Sequence, residues 1–167
     1  CSSDLGIAVM GPNCAGFANF VDGIFAFAFL VEERERGGNI GMISQSGQIV
    51  LGGLDSPNMG FSHVISSGNS CNVKVEDYLD FLVDDEDTKV VAAYMEGVTK
   101  PEKLVAAFQK AALKKKPVVV LKTGRSAKSQ ELAKSHTGSL SGADKVLRAV
   151  FKRYGVVEAG DLEELMS

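Results

Sequence analysis

The sequence lacks several features that would decide its class at once. Its 167 residues include no tryptophan, two histidines and three cysteines, Cys1, Cys14 and Cys71. An odd number of widely spaced cysteines does not suit a disulfide framework, and there is no CxxC pair to suggest a zinc site. Two distant histidines without clustered carboxylates give no metal-binding pattern either. The sparse cysteines therefore favour a reducing compartment, and we expect a cytoplasmic protein with no metal site of its own.

An excess of one charge and a long apolar run are also missing. The 18 basic and 21 acidic residues leave a net charge of −3, which gives no cationic field for nucleic-acid binding. The longest apolar run, 24–31, has eight residues, whereas a membrane-spanning helix needs about 20. We therefore expect no nucleic acid and no membrane among its partners. Because the sequence begins at Cys1 without methionine, we also expect a piece of a longer polypeptide.

From Asn39 onward, the apolar residues alternate between strand and helix patterns. Short apolar segments predict strands, and a period near 3.6 predicts helices. The predicted strands are 40–43, 63–66, 90–95, 118–121 and 156–157, and the predicted helices are about 48–54, 73–83, 101–113, 143–154 and 161–166. This order predicts an α/β fold, in which a parallel sheet carries helices on both faces as a flavodoxin-like or Rossmann-like three-layer sandwich.

The first 36 residues have a different character from the rest. They contain the turn Gly11-Pro12-Asn13, an aromatic-rich segment at 17–30 and a charged run at 32–36 before two glycines. A charged run of this kind is typical of a solvated linker or exposed hairpin. The change in composition predicts a boundary near residue 36.

The polar loops that follow the predicted strands are the candidate binding sites, because ligands of open parallel sheets bind beyond the carboxyl ends of the strands. Residues 44–47 (Ser-Gln-Ser-Gly) join a strand to a helix, where free N–H groups and the helix dipole favour a phosphate. Ser44 or Ser46 could instead act only as an N-cap. Residues 122–126 (Lys-Thr-Gly-Arg-Ser) also suit a phosphate, or are simply exposed charges. Neither GxGxxG nor GxxxxGK[ST] occurs, so no dinucleotide fingerprint or Walker loop is predicted.

Two side chains are candidates for chemistry. Glu96 follows a strand that is apolar at nearly every position, where a carboxylate is costly unless it is hydrogen-bonded or used; a solvated loop acid is the alternative. His136 lies in a loop rich in glycine and serine at 135–142. Its imidazole could act as a base, a ligand or a nucleophile, or lie unused on the surface. His63 falls inside a predicted strand, and we interpret it as structural.

Several motifs occur together in one order along the chain. On these motifs the chain resembles the NDP-forming acyl-CoA synthetases, the family of the ADP-forming acetyl-CoA synthetases and the alpha subunit of succinyl-CoA synthetase. The Ser-Gln-Ser-Gly and Ser-His-Thr-Gly-Ser segments resemble the ADP-forming acetyl-CoA synthetase branch more closely. The motifs are Gly11-Pro12-Asn13-Cys14, Met42-Ile43-Ser44-Gln45-Ser46-Gly47, Ser67-Gly68-Asn69, Tyr94-Met95-Glu96-Gly97, Lys122-Thr123-Gly124-Arg125-Ser126 and Ser135-His136-Thr137-Gly138-Ser139-Leu140-Ser141-Gly142.

The resemblance implies an acid–thiol ligase that joins a carboxylic acid to CoA at the expense of ATP, through an acyl phosphate and a phosphohistidine. It implies that His136 carries the phosphoryl group and that Glu96 orients its imidazole. The implied phosphate-binding residues are Ser44, Gln45, Ser46, Gly47, Thr137 and Gly138, and the implied CoA- or acyl-binding residues are Asn13, Cys14, Gly68 and Asn69. The chain departs from the family at 70–72, where a charged residue is expected and Ser-Cys-Asn stands.

The resemblance also implies a division of labour among domains. Residues 1–36 would be the C-terminal remnant of a CoA-binding Rossmann domain with a linker, and 37–167 a succinyl-CoA synthetase-like flavodoxin-type domain. ATP or ADP and Mg²⁺ would bind on an ATP-grasp beta domain or subunit that this sequence lacks, and the intact enzyme would be an oligomer. We therefore expect residues 1–167 alone to show no synthetase activity.

Two other functions stay open from the sequence. Some relatives carry this fold as a ligand-sensing regulatory domain beside a protein acyltransferase, but the phosphorylated histidine is typically replaced in them. The domain could also serve only in assembly, in which case a His136→Asn substitution would leave activity unchanged.

Overall fold

The computed structural model describes residues 6–28, 37–57, 59–123 and 143–166. The described part contains seven strands and five helices. The strands are β1 (Gly16–Asn19), β2 (Ile24–Phe27), β3 (Gly37–Ser44), β4 (Phe61–Ser66), β5 (Val90–Met95), β6 (Val118–Lys122) and β7 (Val157–Glu158). The helices are α1 (Gly47–Asp55), α2 (Val75–Asp84), α3 (Pro101–Leu113), α4 (Ala143–Tyr154) and α5 (Leu162–Leu165).

The seven strands form one sheet in the order β2-β1-β4-β3-β5-β6-β7. Strands β3 to β7 pair in parallel, which confirms the predicted α/β class. Numbered from β3, their order is 2-1-3-4-5, the flavodoxin-like arrangement. The carboxyl ends of β3, β4, β5 and β6 therefore lie at the same edge of the sheet, as the sequence predicted.

Helices cover both faces of the sheet, as the sequence predicted. Along β3, Ile43 packs in the core beneath α2, α3 and α4, whereas Met42 packs on the opposite face beneath α1. The alternation follows from the two-residue period of a strand. Phe108 of α3 and Phe151 of α4 meet edge to face, with ring centroids 5.6 Å apart, which ties two neighbouring helices together. Among the described residues, no helix combines the length and apolar character that a bilayer crossing requires.

An antiparallel hairpin extends the parallel sheet at one edge. β1 pairs with β2 on one side and with β4 on the other, both antiparallel. Asn19 shapes the turn, since its Oδ1 accepts hydrogen bonds from the N–H groups of Val21 and Asp22, both at 2.9 Å. The strand prediction missed this hairpin. The charged run at 32–36 lies outside the described residues, and the domain boundary predicted near residue 36 stays a prediction.

Candidate functional site

A cavity of about 450 Å³ lies at the carboxyl edge of the parallel strands. Five of the residues predicted from the sequence as site residues line it, and they come from loops far apart in the chain. The cavity-lining residues are Asn13, Gln45, Gly68, Asn69, Ser70, Lys74, Glu96, Gly97, Val98 and Thr99. The fold thus brings the predicted phosphate-binding, CoA-binding and histidine-orienting segments to one place.

Gln45 connects the loop after β3 to the loop after β5. Its side-chain Oε1 accepts hydrogen bonds from the backbone N–H groups of Glu96, at 2.6 Å, and Gly97, at 3.1 Å. Its own backbone N–H donates to the carbonyl of Tyr94 at 3.2 Å. The carboxamide therefore fixes the backbone of Glu96 at the cavity, and Gln45 has a positioning role beyond the phosphate contact expected of it.

The helix that follows Gln45 begins without a side-chain cap. The buried Ser44 hydroxyl accepts from the Ser46 N–H at 3.0 Å and donates to the Ser46 carbonyl at 2.7 Å, so it closes the turn rather than capping the helix. Ser46 occupies the N-cap position of α1 but makes no side-chain cap bond, and the first turn carries no acidic residue. Within the described chain, the N-terminus of α1 from Gly47 onward is therefore open to an anion, which the helix dipole would favour.

The loop at 11–15 is bonded directly to the loop after β4. The Asn69 N–H donates to the Pro12 carbonyl at 2.9 Å, and the Cys71 N–H donates to the Gly11 carbonyl at 2.7 Å. Gly68 has a φ of +55°, and a Cβ there would lie 2.5 Å from the carbonyl oxygens of Pro12 and Asn13. Only glycine suits both this conformation and this approach, so its place in the sequence follows from the contact between the two loops.

Cys14 lies in the same loop but does not line the cavity. Its side chain is half-buried, whereas its neighbour Asn13 lines the cavity directly. The family resemblance implies that both residues bind CoA or the acyl group. Of the two, only Asn13 lies at the cavity wall.

Lys122 supports the loop that carries Glu96. Its Nζ donates to the Glu96 carbonyl at 2.9 Å and to the Thr123 carbonyl at 2.6 Å. From the sequence, Lys122 was expected to be a phosphate ligand or an exposed charge. The structure shows these two contacts with backbone carbonyls, and a phosphate contact stays a prediction. His136, Thr137 and Gly138 lie outside the described residues.

Lys74 is a cavity residue that the sequence reasoning did not select. Its Nζ donates to the carbonyls of Ser70, at 2.6 Å, and Cys71, at 2.9 Å. The segment at 70–72 has no charged side chain of its own, and Lys74 brings an ammonium group to it from the start of α2. No local motif marks such a lysine, because its contact depends on how the loop folds back.

Glu76 is a second residue that the sequence reasoning missed. Its side chain is fully buried, and its Oε1 accepts from the N–H groups of Thr99, at 2.7 Å, and Lys100, at 2.9 Å. Its Oε2 has no hydrogen-bond partner among the described residues. Since Lys100 precedes α3, Glu76 satisfies donors at the start of that helix from a neighbouring helix. It thereby fixes the cavity residue Thr99.

His63 lies away from the cavity, and its surroundings support a structural role. The ring is buried and packs edge to face on Phe81, with centroids 5.5 Å apart. Its Nδ1 lies 3.4 Å from Asp85 Oδ2. Hydrogen bonds from Thr88 keep the pKa of Asp85 below its ordinary value although burial alone would raise it. In the described part of the chain, no three His, Cys, Asp or Glu side chains cluster as a metal site would require.

Comparison with known proteins gives relatives over nearly the whole chain. The ADP-forming acetate–CoA ligase of Methanocaldococcus jannaschii is 41% identical over 166 residues, which cover 96% of this chain and 23% of the relative. The alpha subunit of the ADP-forming acetate–CoA ligase II of Pyrococcus furiosus is 36% identical, covering 97% of this chain and 35% of the relative. This chain therefore spans about a quarter to a third of the length of these relatives.

A solved structure has the same fold. The dinucleotide-forming acetyl-coenzyme A synthetase 1 of Ca. Korarchaeum cryptofilum, in complex with phosphate and ADP, superposes with a TM-score of 0.88 at 29% identity. The match covers 99% of this chain and 36% of that protein. In addition, the family model of the succinyl-CoA ligase like flavodoxin domain matches residues 37–167. The chain therefore belongs to the succinyl-CoA ligase like flavodoxin domain family, with ADP-forming acetate–CoA ligases among its relatives.

Proposed function

We propose that this chain is the phosphohistidine-bearing module of an NDP-forming acyl-CoA synthetase. The reaction joins a carboxylic acid to CoA and converts ATP to ADP and phosphate. His136 would carry the phosphoryl group between a nucleotide site and the acyl site. The observation that supports this most is the double hydrogen bond from the Glu96 and Gly97 N–H groups to Gln45 Oε1. It links the segment proposed to receive the phosphoryl group with the acid proposed to orient the histidine.

The proposed reaction proceeds in three steps. An imidazole nitrogen of His136 attacks the γ-phosphorus of ATP, so that the N–P bond forms as the bond to ADP breaks. The phosphoryl group then passes to a carboxylate oxygen of the acid, which frees the imidazole and gives an acyl phosphate. Finally the CoA thiol loses its proton and attacks the acyl carbon, and phosphate leaves. Glu96 would accept the N–H of the other ring nitrogen, which keeps the attacking nitrogen unprotonated.

The open N-terminus of α1 suits the phosphoryl group in these steps. A phosphohistidine carries close to two negative charges, and the start of α1 from Gly47 onward presents N–H groups and the positive end of a helix dipole. Ser44 keeps that turn closed through its two bonds to Ser46. Thr137 and Gly138 would complete the phosphate contacts from the histidine loop.

Three residues of this chain that line the cavity, Asn13, Gly68 and Asn69, would face the acyl group or the thiol end of CoA, with Cys14 beside them.

Other domains or subunits would bind the remaining substrates. We assign ATP or ADP and Mg²⁺ to an ATP-grasp beta domain or subunit, and the rest of CoA to an N-terminal CoA-binding domain. On this basis the complete enzyme is a cytoplasmic oligomer, and residues 1–167 alone are inactive. The relatives compared above are named as ligases, which favours this proposal over a ligand-sensing domain.

The test is phosphoryl transfer to His136 in the complete protein with its ATP-grasp partner. Incubation with γ-labelled ATP and magnesium is expected to give an acid-labile, base-stable label that maps to His136. CoA and a carboxylic acid added together should remove the label, and a His136→Asn variant should not acquire it. A folded complex that takes up no label would contradict the proposal and leave ligand sensing or assembly as the function.

A further inference from the structure

We propose that Lys74 binds an oxyanion of the substrate in the cavity at the carboxyl edge of the sheet. The nature of that substrate rests on the proposed function, in which both a phosphate and a carboxylate must enter this region. Lys74 Nζ would be the cationic group that holds one of them. The charge balance of the cavity and the contacts of the ammonium group support this assignment.

The cavity needs a positive group if an anion is to enter it. Of the ten lining residues that the structure describes, only Lys74 and Glu96 carry charged side chains. An oxyanion that approached Glu96 alone would be repelled, and repulsion is stronger in a partly enclosed site than in bulk water. Lys74 offsets this repulsion and makes the cavity close to neutral before the ligand binds.

Within the described residues, no carboxylate pairs with the ammonium group of Lys74. Its Nζ donates to the carbonyls of Ser70 and Cys71, which are neutral acceptors. Lysines of the neighbouring helix α3 differ, since Lys103 pairs with Asp77, and Lys110 pairs with Asp84 at 2.8 Å. In the described part of the chain, no ion pair involves Lys74.

The two carbonyls also hold the ammonium group in a ligand-ready position. An ammonium group has three N–H donors, and Ser70 and Cys71 accept two of them. Among the described residues no acceptor contacts the third donor, which could therefore serve a ligand in the cavity that Lys74 lines. A group held in this way has already lost most of its side-chain freedom, so binding needs little further ordering.

The experiment compares anion affinity among variants of the complete protein. Inorganic phosphate and acetate are the two probes, and their dissociation constants are measured by titration calorimetry. For Lys74→Met we expect the dissociation constant of one anion to rise about tenfold or more, since a charge-assisted hydrogen bond is lost. Lys74→Arg should restore most of the affinity. Lys89→Met is the matched control, because Lys89 is exposed and donates to the Glu86 carbonyl away from this cavity.

The anion titrations test the role of Lys74 independently of the proposed phosphohistidine function. Weaker binding of phosphate alone, or of acetate alone, supports the role of Lys74 and identifies the oxyanion as phosphoryl or carboxylate. Unchanged affinity for both anions, or no measurable binding of either by the unsubstituted protein, overturns it. If Lys74→Met does not fold, Lys74→Gln, which keeps N–H donors for the two carbonyls, gives the same decision. Labelling of His136 is measured in parallel, so that its absence contradicts the proposed function without deciding the role of Lys74.

Discussion

Gln45 and Glu96 lie 51 residues apart in the sequence and are joined by a hydrogen bond of 2.6 Å from the Glu96 N–H to Gln45 Oε1. The same oxygen accepts from Gly97 at 3.1 Å. One carboxamide oxygen therefore satisfies two successive donors of the loop after β5. Because both loops border the cavity, a substitution at Gln45 is expected to shift the position of Glu96 while its carboxylate stays unaltered.

A Gln45→Leu substitution should therefore lower both stability and phosphoryl transfer. The leucine leaves two partly buried N–H groups without their acceptor, so we expect the free energy of unfolding to fall by about 1–3 kcal/mol. The rate of His136 labelling in the complete protein should fall as well, since Glu96 loses its fixed position. Urea unfolding and the labelling assay measure the two effects. Gln48→Leu is the control because Gln48 is exposed in the first turn of α1, which follows Gln45, and an equal loss in both variants would contradict the positioning role.

Replacing Gly68 by alanine should separate the loops at 11–15 and 67–72. The added Cβ would lie 2.5 Å from the carbonyl oxygens of Pro12 and Asn13, at a φ of +55°. Backbone strain alone costs about 1 kcal/mol, and the clash adds to it. Gly155→Ala serves as control, since Gly155 has a φ of +69° but nothing within 4 Å of its Cβ position. We expect the midpoint temperature of thermal unfolding to fall further in Gly68→Ala than in Gly155→Ala. An equal fall in both variants would mean that the contact between the loops contributes little to stability.

The parallel part of the fold could be predicted because its signals are local. Val90–Met95 and Pro101–Leu113 begin and end where the sequence predicted, since apolar runs and a proline at the first helical position mark them. The hairpin of β1 and β2 has no such signal. Its aromatic residues do not alternate with polar ones, and β1 gains its second partner only from β4, more than 40 residues later.

Only the site residues that lie in loops could be predicted from the sequence. Gln45 and Glu96 were found because strand-end loops of a parallel sheet converge at one edge. Asn13 was implied only by the family resemblance. Lys74 and Glu76 sit at a helix start, where a charged residue usually faces solvent. Lys74 contacts the Ser70 carbonyl through the local fold of the loop before α2, whereas Glu76 makes a tertiary contact with the Thr99 N–H. Sequence periodicity carries no information about such contacts.

Removing the carboxylate of Glu76 should destabilise the start of α3. A Glu76→Ala substitution leaves the N–H groups of Thr99 and Lys100 without their acceptor. We expect a loss of about 2 kcal/mol or more in the free energy of unfolding. Glu76→Gln keeps an acceptor oxygen and should recover most of this loss. Urea unfolding measures both, and a glutamine variant as unstable as the alanine variant would show that the capping bonds are not the main contribution.

Acid should weaken the contact between α2 and α3 in a defined pH range. Hydrogen bonds from Lys110 and Lys114 lower the pKa of Asp84 from 3.8 to about 2. Because the folded-state pKa is lowered, the stabilising contribution is complete above pH 3.8 and is lost as the pH falls toward 2. Asp84→Asn should therefore unfold more easily than the unsubstituted chain at neutral pH, and the difference should vanish near pH 2.

Unfolding by urea at a series of pH values measures this difference. Since the three side chains are between a third and about half exposed to solvent, added salt should reduce this difference by screening. Asp87→Asn is the control, as Asp87 is exposed and forms no ion pair within the described residues. A difference between Asp84→Asn and the unsubstituted chain that persisted unchanged at pH 2 would show that the ion pairs are not its source.

A Glu96→Gln substitution should slow phosphoryl transfer while leaving the fold intact. The hydrogen bonds found at position 96 are made by backbone atoms, the N–H to Gln45 and the carbonyl to Lys122, so the amide side chain does not disturb them. What changes is the acceptor proposed for the His136 imidazole. Loss of a carboxylate that fixes an imidazole tautomer typically lowers rates by about 100-fold or more. Rapid-quench labelling of the complete protein measures the rate. Glu102→Gln, an exposed substitution in the first turn of α3, should label at the normal rate, and a Glu96→Gln protein that did the same would remove Glu96 from the proposed mechanism.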